Sequence, residues 1–200
     1  MIKTLIFDLG NVIVPFNHRK IVEKLQCVCE KASEEIFAEV ISAKFVQDYN
    51  LGKITSAEFF DSVNLALKLE MNFADFSQTW NYTFEAEPII SEQFVKKLSE
   101  CYRLLVLSDT NELHFDFIRE NFSVLDYFDD FVLSYRVGAV KPSAEIFRAV
   151  IEKAECLPDE CIFIDDVEKN VEGARRYGMN AIRFISVEQL EAELRAKNLV

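Results

Sequence analysis

Two hundred residues, half of them hydrophobic, are enough to bury a sizeable core, which excludes wholesale disorder. Acids outnumber bases 34 to 22, a formal charge of −12, which argues against nonspecific binding to nucleic acid or an anionic membrane. No apolar stretch is long enough to span a bilayer, and Lys3 followed by a strand pattern with an acid in it does not read as a signal peptide.

The first predicted strand is Thr4–Phe7. It ends at Asp8, and Leu9, Gly10 and Asn11 follow. The next strand pattern, Arg103–Leu107, lies roughly 95 residues on, far beyond an ordinary crossover. The interval is patterned as helices. Ile21, Val22, Leu25, Val28 and Cys29 share one helical face, with Asn17-His18 as its start. Ile36, Val40 and Ile41 make a second face. Phe59, Phe60, Val63 and Leu67 make a third, opened by Thr55 and Glu58 at capping-box spacing. We expect residues 17–85 to form an inserted helical subdomain, with 1–16 and 86–200 as the core.

Three further strands are predicted at Phe131–Leu133, Cys161–Ile164 and Ala181–Phe184. All are short and, Arg183 apart, apolar on consecutive residues, as strands of a parallel sheet covered on both faces should be. Between them Ile146, Phe147, Val150, Ile151 and Ala154 repeat at helical spacing, with Pro142 in a first helical turn. Val171, Ala174 and Tyr177 form another stripe, closed by Gly178. Alternating strands and helices give a doubly wound, Rossmann-like α/β core with a parallel sheet. The cysteines at 27, 29, 101, 156 and 161 are odd in number and lack a framework spacing, so reduced thiols in a cytoplasmic protein are expected. Cys27 and Cys29 read as half-buried positions on a helix.

The polar residues that follow the strands carry the chemistry. They are Asp8, then Ser108-Asp109-Thr110-Asn111, then Lys141 in a loop, then Asp165-Asp166. All fall at the carboxyl edge, where open α/β sheets bind ligands. Singly, each reads as a helix cap, a turn former or a solvated lysine. Together they suggest phosphoryl transfer. Three converging carboxylates repel unless a cation sits among them, and oxygen-only ligands favour a hard ion such as Mg²⁺. Ser108 and the amides after it suit phosphate oxygens, and Lys141 suits developing negative charge. Asp8 could attack phosphorus and be released by water.

Asp8 after the first strand, Ser108 after "LLVL", Lys141-Pro142 and "FIDDVEKN" resemble, in that order, the four motifs of the haloacid dehalogenase superfamily. "FDLGNVIV", "SDTN", "GAVKP" and "FIDDVEKNVEGA" are most similar to a branch with bacterial α-glucose-1-phosphate phosphatases, related to the phosphatase domain of soluble epoxide hydrolases. The resemblance implies a helical cap in the inserted segment. It implies Asp8 as nucleophile and metal ligand, and Gly10 lending its carbonyl to Mg²⁺. Ser108 and the amide of Asp109 would hold phosphate, and Lys141 would steady both phosphate and nucleophile. Asp166 would bind the metal, Asp165 would do so directly or through water, and Asn170 would support the acidic loop. A small phosphorylated metabolite is the expected partner, a sugar phosphate favoured, with α-glucose-1-phosphate as one candidate.

Two positions depart from that pattern. Most phosphatases of the superfamily carry a second Asp where this chain has Gly10, and general acid–base work commonly contributes about 10²–10⁴-fold. Either the leaving group needs less help, or another group stands in, with His18 and Asp109 nearest, or activity is weak or lost. Asp109 itself stands where related phosphatases often have Asn. It could point away, or contact Lys141, or meet sugar hydroxyls. His114 reads as a partly buried helix residue, and Phe73, Phe76, Trp80 and Phe84 as packing between cap and core, with one of them free to line the pocket. The nearest rival activity is a 2-haloacid dehalogenase of the same fold, which needs neither an acid at position 10 nor the Asp165-Asp166 pair.

Overall fold

The computed structural model describes residues 1–84 and 87–200. The expected junction between insertion and core, at 85 and 86, lies outside the described residues. The sheet has five strands: β1 (Thr4–Phe7), β2 (Arg103–Ser108), β3 (Asp130–Leu133), β4 (Cys161–Asp165) and β5 (Asn180–Arg183). Every pairing is parallel, and the order is β3-β2-β1-β4-β5. The last strand starts and ends one residue earlier than its apolar run suggests. Its register fixes this: Ile162 pairs with Asn180 and Asp165 with Arg183.

The helices in chain order begin with α1 (His18–Gln26), α2 (Ser33–Ile36), α3 (Lys44–Asn50), α4 (Ser56–Leu67) and α5 (Phe73–Asn81). After them come α6 (Glu92–Ser99), α7 (Glu112–Asn121), α8 (Ser134–Val137), α9 (Ala144–Ala154), α10 (Glu168–Arg176) and α11 (Val187–Ala196).

Alternation along each strand sends its side chains to two covered faces. Leu5, Phe7, Leu104, Val106, Ile162 and Ile164 join one core, with residues from α6, α7 and α11. Ile6, Leu105, Leu107 and Phe163 join the other, with Ile146, Phe147 and Val150 of α9 and Ala174 of α10. The helices between 18 and 81 gather round a third cluster that includes Ile21, Leu25, Ile36, Val40, Phe59, Val63, Phe76 and Trp80. Phe59 stacks on Tyr49 with ring centroids 4.3 Å apart, and Leu113 of α7 packs against the cluster from the core side.

Local signals set the helix starts. Thr55 and Glu58 exchange hydrogen bonds as a capping box, and Asn17 caps α1 through its side chain. Four positions correct the sequence reading. Val28 and Cys29 lie past the end of α1; Val28 is 47% exposed, while Cys29 still packs half-buried against the cluster without being helical. Cys27, the C-cap, is likewise exposed rather than half-buried. Pro142 is not in the first turn of α9: Ser143 is the N-cap and Ala144 the first helical residue.

Candidate active site

Chain order runs outward from β1 to β2 and β3, then returns to β4 on the other side of β1. The crevice therefore opens between β1 and β4, at the point where the order reverses. Asp8 sits on this line. Its amide still bonds the Ile164 carbonyl of β4 at 2.8 Å, so its position is set by the sheet. Asp165 is the last residue of β4, and Asp166 follows it.

The structure brings these three acids together: one oxygen from each of Asp8, Asp165 and Asp166 lies within 4.8 Å of the others. Against them stands one ammonium. Lys141 Nζ lies 2.7 Å from Asp8 Oδ1 and 2.8 Å from Asp165 Oδ2, and donates to the Leu107 carbonyl at 3.3 Å, which satisfies its three donors. Those carboxylates push its pKa above the ordinary lysine value although burial opposes them. The Leu9 amide also donates to Asp8 Oδ1, at 2.7 Å. Burial nevertheless raises the Asp8 pKa to about 7, with Lys141 opposing and Asp165 reinforcing the shift. The Asp166 pKa is raised too, first by burial and then by Asp165. Three carboxylates and one ammonium leave excess negative charge, which protons reduce where no cation does. That donor set, all oxygen and partly buried, fits a divalent hard cation.

Asp165 is nearly saturated without a metal. Oδ1 accepts from the Val167 amide at 2.8 Å, and Asn170 Nδ2 reaches both oxygens at 3.1 Å. Around Gly10 the chain folds back on itself. The Val14 amide donates to the Leu9 carbonyl and the Asn11 amide to the Val14 carbonyl, bonds that make no use of the Gly10 carbonyl. Asn11 takes the left-handed conformation, φ 55°, and its side chain holds the Phe16 amide at 3.0 Å.

Ser108 ends β2, is 3% exposed, and precedes Asn111, the N-cap of α7. Asp109 contacts Lys141, but at the backbone: its Oδ1 accepts from the Lys141 amide at 3.0 Å and so holds the lysine loop. Pro142 rests on α10 at Gly173, where an added Cβ would come within 2.4 Å of the Pro142 Cβ and 3.1 Å of the Phe147 ring. Gly173→Ala should therefore cost about 1–3 kcal/mol through overpacking and lower turnover by displacing Lys141. Thermal unfolding and kcat check both halves.

A cavity of about 160 Å³ opens beside the acids, between the helical insertion and the sheet edge. Gly10, Ser108 and Asp109 line one side, and Phe16, His18, Ile41, Val46, Trp80 and Phe84 line the other. Of the four aromatics expected between insertion and core, Trp80 and Phe84 reach the cavity. Phe76 is buried inside the insertion, and Phe73 is 40% exposed. Two contributors were not legible in the sequence. Ser134, just after β3, accepts the Thr110 amide at 2.9 Å and lies 2.7 Å from the Asn50 carbonyl. Asn50 in turn accepts from Asn111 Nδ2 at 3.1 Å, which ties α3 to the loop after β2. The only available signal was one more hydroxyl at a strand end.

His114 is fully buried rather than partly. It stacks on Trp80, and its two nitrogens lie 3.3 Å from the Trp80 carbonyl and from Asn111 Nδ2. Burial lowers its pKa to about 3 from the ordinary 6.5. Below 6.5 the unfolded chain binds a proton that the folded chain refuses, so stability is full above 6.5 and drains as pH falls towards 3. The loss should reach about 3 kcal/mol at pH 4. Urea unfolding at pH 7 and pH 4 should show that loss in the natural protein and a smaller one in His114→Phe.

Residues 2–178 match the family described as haloacid dehalogenase-like hydrolase. The chain is 25% identical over 189 residues to D-ribitol-5-phosphate phosphatase of Bacteroides thetaiotaomicron, with 92% of each covered. Among solved structures it resembles a HAD family enzyme of the same organism at TM-score 0.88 and 30% identity, covering 96% of this chain and 98% of that one. A further structure of that enzyme, in complex with magnesium and inorganic phosphate, superposes at TM-score 0.83 with 29% identity, over 94% and 96% of the two chains. L-2-haloacid dehalogenase from Xanthobacter autotrophicus shares the fold at TM-score 0.65 and 18% identity, over 100% of this chain and 85% of that one.

Proposed function

The chain belongs to the haloacid dehalogenase-like hydrolase family, and from that premise we propose that it is a magnesium-dependent phosphomonoesterase working through an aspartyl-phosphate on Asp8. The observation that carries the proposal is the group of Asp8, Asp165 and Asp166, with one oxygen of each within 4.8 Å of the others, Lys141 being paired to Asp8 and Asp165. Asp8, Asp166 and the Gly10 carbonyl would hold Mg²⁺, with Asp165, already bonded to Lys141 and Asn170, acting beside them. When bound, the ion would screen the carboxylates and draw charge from the phosphoryl oxygens.

The chain's own groups do the rest. Ser108 and the amide of Asp109 hold the phosphate, and Lys141 neutralises charge on it while orienting Asp8. Asp8 Oδ1 is engaged by Lys141 and Leu9, so Oδ2 is the oxygen placed to attack phosphorus as the ester oxygen leaves. Water then cleaves the acyl phosphate. The helices between residues 18 and 81 act as a cap that closes the cavity over the organic part of the substrate.

A cavity of about 160 Å³ is small beside drug-sized pockets and suits a compact metabolite. A sugar or polyol phosphate is favoured: the relative from B. thetaiotaomicron is a D-ribitol-5-phosphate phosphatase. α-Glucose-1-phosphate belongs in the same screen. No helix among the described residues is long and apolar enough to cross a membrane, and the five cysteines are unpaired, which supports a reducing, cytoplasmic setting. Dialysis against EDTA should abolish hydrolysis of p-nitrophenyl phosphate, and added Mg²⁺ should restore it. Metal-independent activity confined to 2-haloacids would establish the dehalogenase alternative instead.

A further inference from the structure

Gly10 leaves the leaving oxygen without its usual proton donor, and sterics do not demand the glycine. A Cβ there would meet only Phe16, at an ordinary 3.6 Å. Phe16 carries the next titratable group: its ring meets the His18 ring edge to face, centroids 4.5 Å apart. We infer that His18, in the place of a carboxylate at position 10, protonates the leaving oxygen and later takes a proton from the attacking water. This rests on the phosphatase reading above.

Among the described residues, three titratable groups line the cavity: His18, Asp109 and His114. His114 has both nitrogens engaged and stays neutral. Asp109 is held at the Lys141 amide, on the phosphate side. His18 is the first residue of α1 and exposed, and no hydrogen bond among the described residues engages its ring. Its backbone is nonetheless fixed, because the preceding Asn17 amide donates to the buried Thr83 hydroxyl at 2.9 Å and the Asn17 side chain caps the helix. On its own helix Arg19, Lys20 and Glu23 follow it. Desolvation holds its pKa below the ordinary imidazole value.

Asp8 forms a bond to phosphorus while the phosphorus–ester oxygen bond breaks. The imidazolium N–H proton passes to the departing oxygen, giving the alcohol and a neutral imidazole. That imidazole then accepts a proton from water as the water oxygen bonds to phosphorus, releasing phosphate and the Asp8 carboxylate, and the imidazolium is restored.

The test compares two substrates of similar size, p-nitrophenyl phosphate, whose phenolate leaves unaided, and benzyl phosphate, whose alkoxide does not. In His18→Gln the ratio of kcat/KM for benzyl over p-nitrophenyl phosphate should fall about 100-fold. A merely structural or binding role would lower both alike, and an unchanged ratio overturns the assignment. Asp8→Asn run beside it separates the two claims: turnover that survives there sinks the phosphatase reading itself, whatever His18 does.

Discussion

Asp8→Asn should fold, bind phosphate and magnesium, and lose turnover by about 10⁴-fold or more, the scale seen when a nucleophile is removed from a unit that acts together. The carboxamide oxygen can still accept from the Leu9 amide and Lys141, the two partners of Asp8 Oδ1, so the fold has no reason to change. What is lost is the anionic oxygen that, in the proposed mechanism, bonds phosphorus. Circular dichroism and phosphate binding by calorimetry check the first half, and steady-state kinetics with Mg²⁺ the second. A variant with ordinary turnover would remove Asp8 from the chemistry.

Lys141→Met should be the most damaging change to the resting protein. The lysine side chain is 2% exposed and bridges Asp8 and Asp165, themselves 11% and 0% exposed at the side chain. Removing one partner of a buried pair leaves uncompensated charge, typically about 3–5 kcal/mol. Without metal Asp8, whose pKa burial already raises to about 7, relieves this by taking up a proton, so the loss should be smaller at pH 5 than at pH 8. Mg²⁺ binds only the folded chain and should recover part of it by mass action. Turnover should fall at least about 10²–10³-fold, since a preorganised charge facing the phosphate is gone. Urea unfolding with and without Mg²⁺ at both pH values measures the effect. Stability indifferent to both substitution and metal would show that Lys141 does not offset these acids.

The two faces of the sheet were legible because burial on both sides leaves no polar position inside a strand. Leu5, Ile6 and Phe7 are all fully buried, and the first acid, Asp8, marks where the sheet stops. The same contrast exposed Ser108 and Asp165. The lysine loop was legible only as Lys141-Pro142. That Asp109 holds it by the backbone was not, because an acid beside a phosphate site can satisfy itself in several ways. The walls of the cavity were legible least. Ile41, Val46 and Trp80 sit on different helices of the insertion, and their periodicity reports only that each has a buried face. Whether that face meets another helix, as Phe76 does, or the cavity, as Trp80 does, depends on how the helices cross. Ser134 and Asn50 were missed for a related reason: a single serine or asparagine at an element's end normally serves its own backbone, and these two join the insertion to the core.

Growing crystals with Mg²⁺ and beryllofluoride, a mimic of the phosphoryl group, tests the account at its centre. We expect beryllium bonded to an Asp8 carboxylate oxygen, an ion shared by Asp8, Asp166 and the Gly10 carbonyl, and Lys141 against the fluorides. Beryllofluoride bound elsewhere or not at all, with the three acids apart and no ion between them, would contradict it.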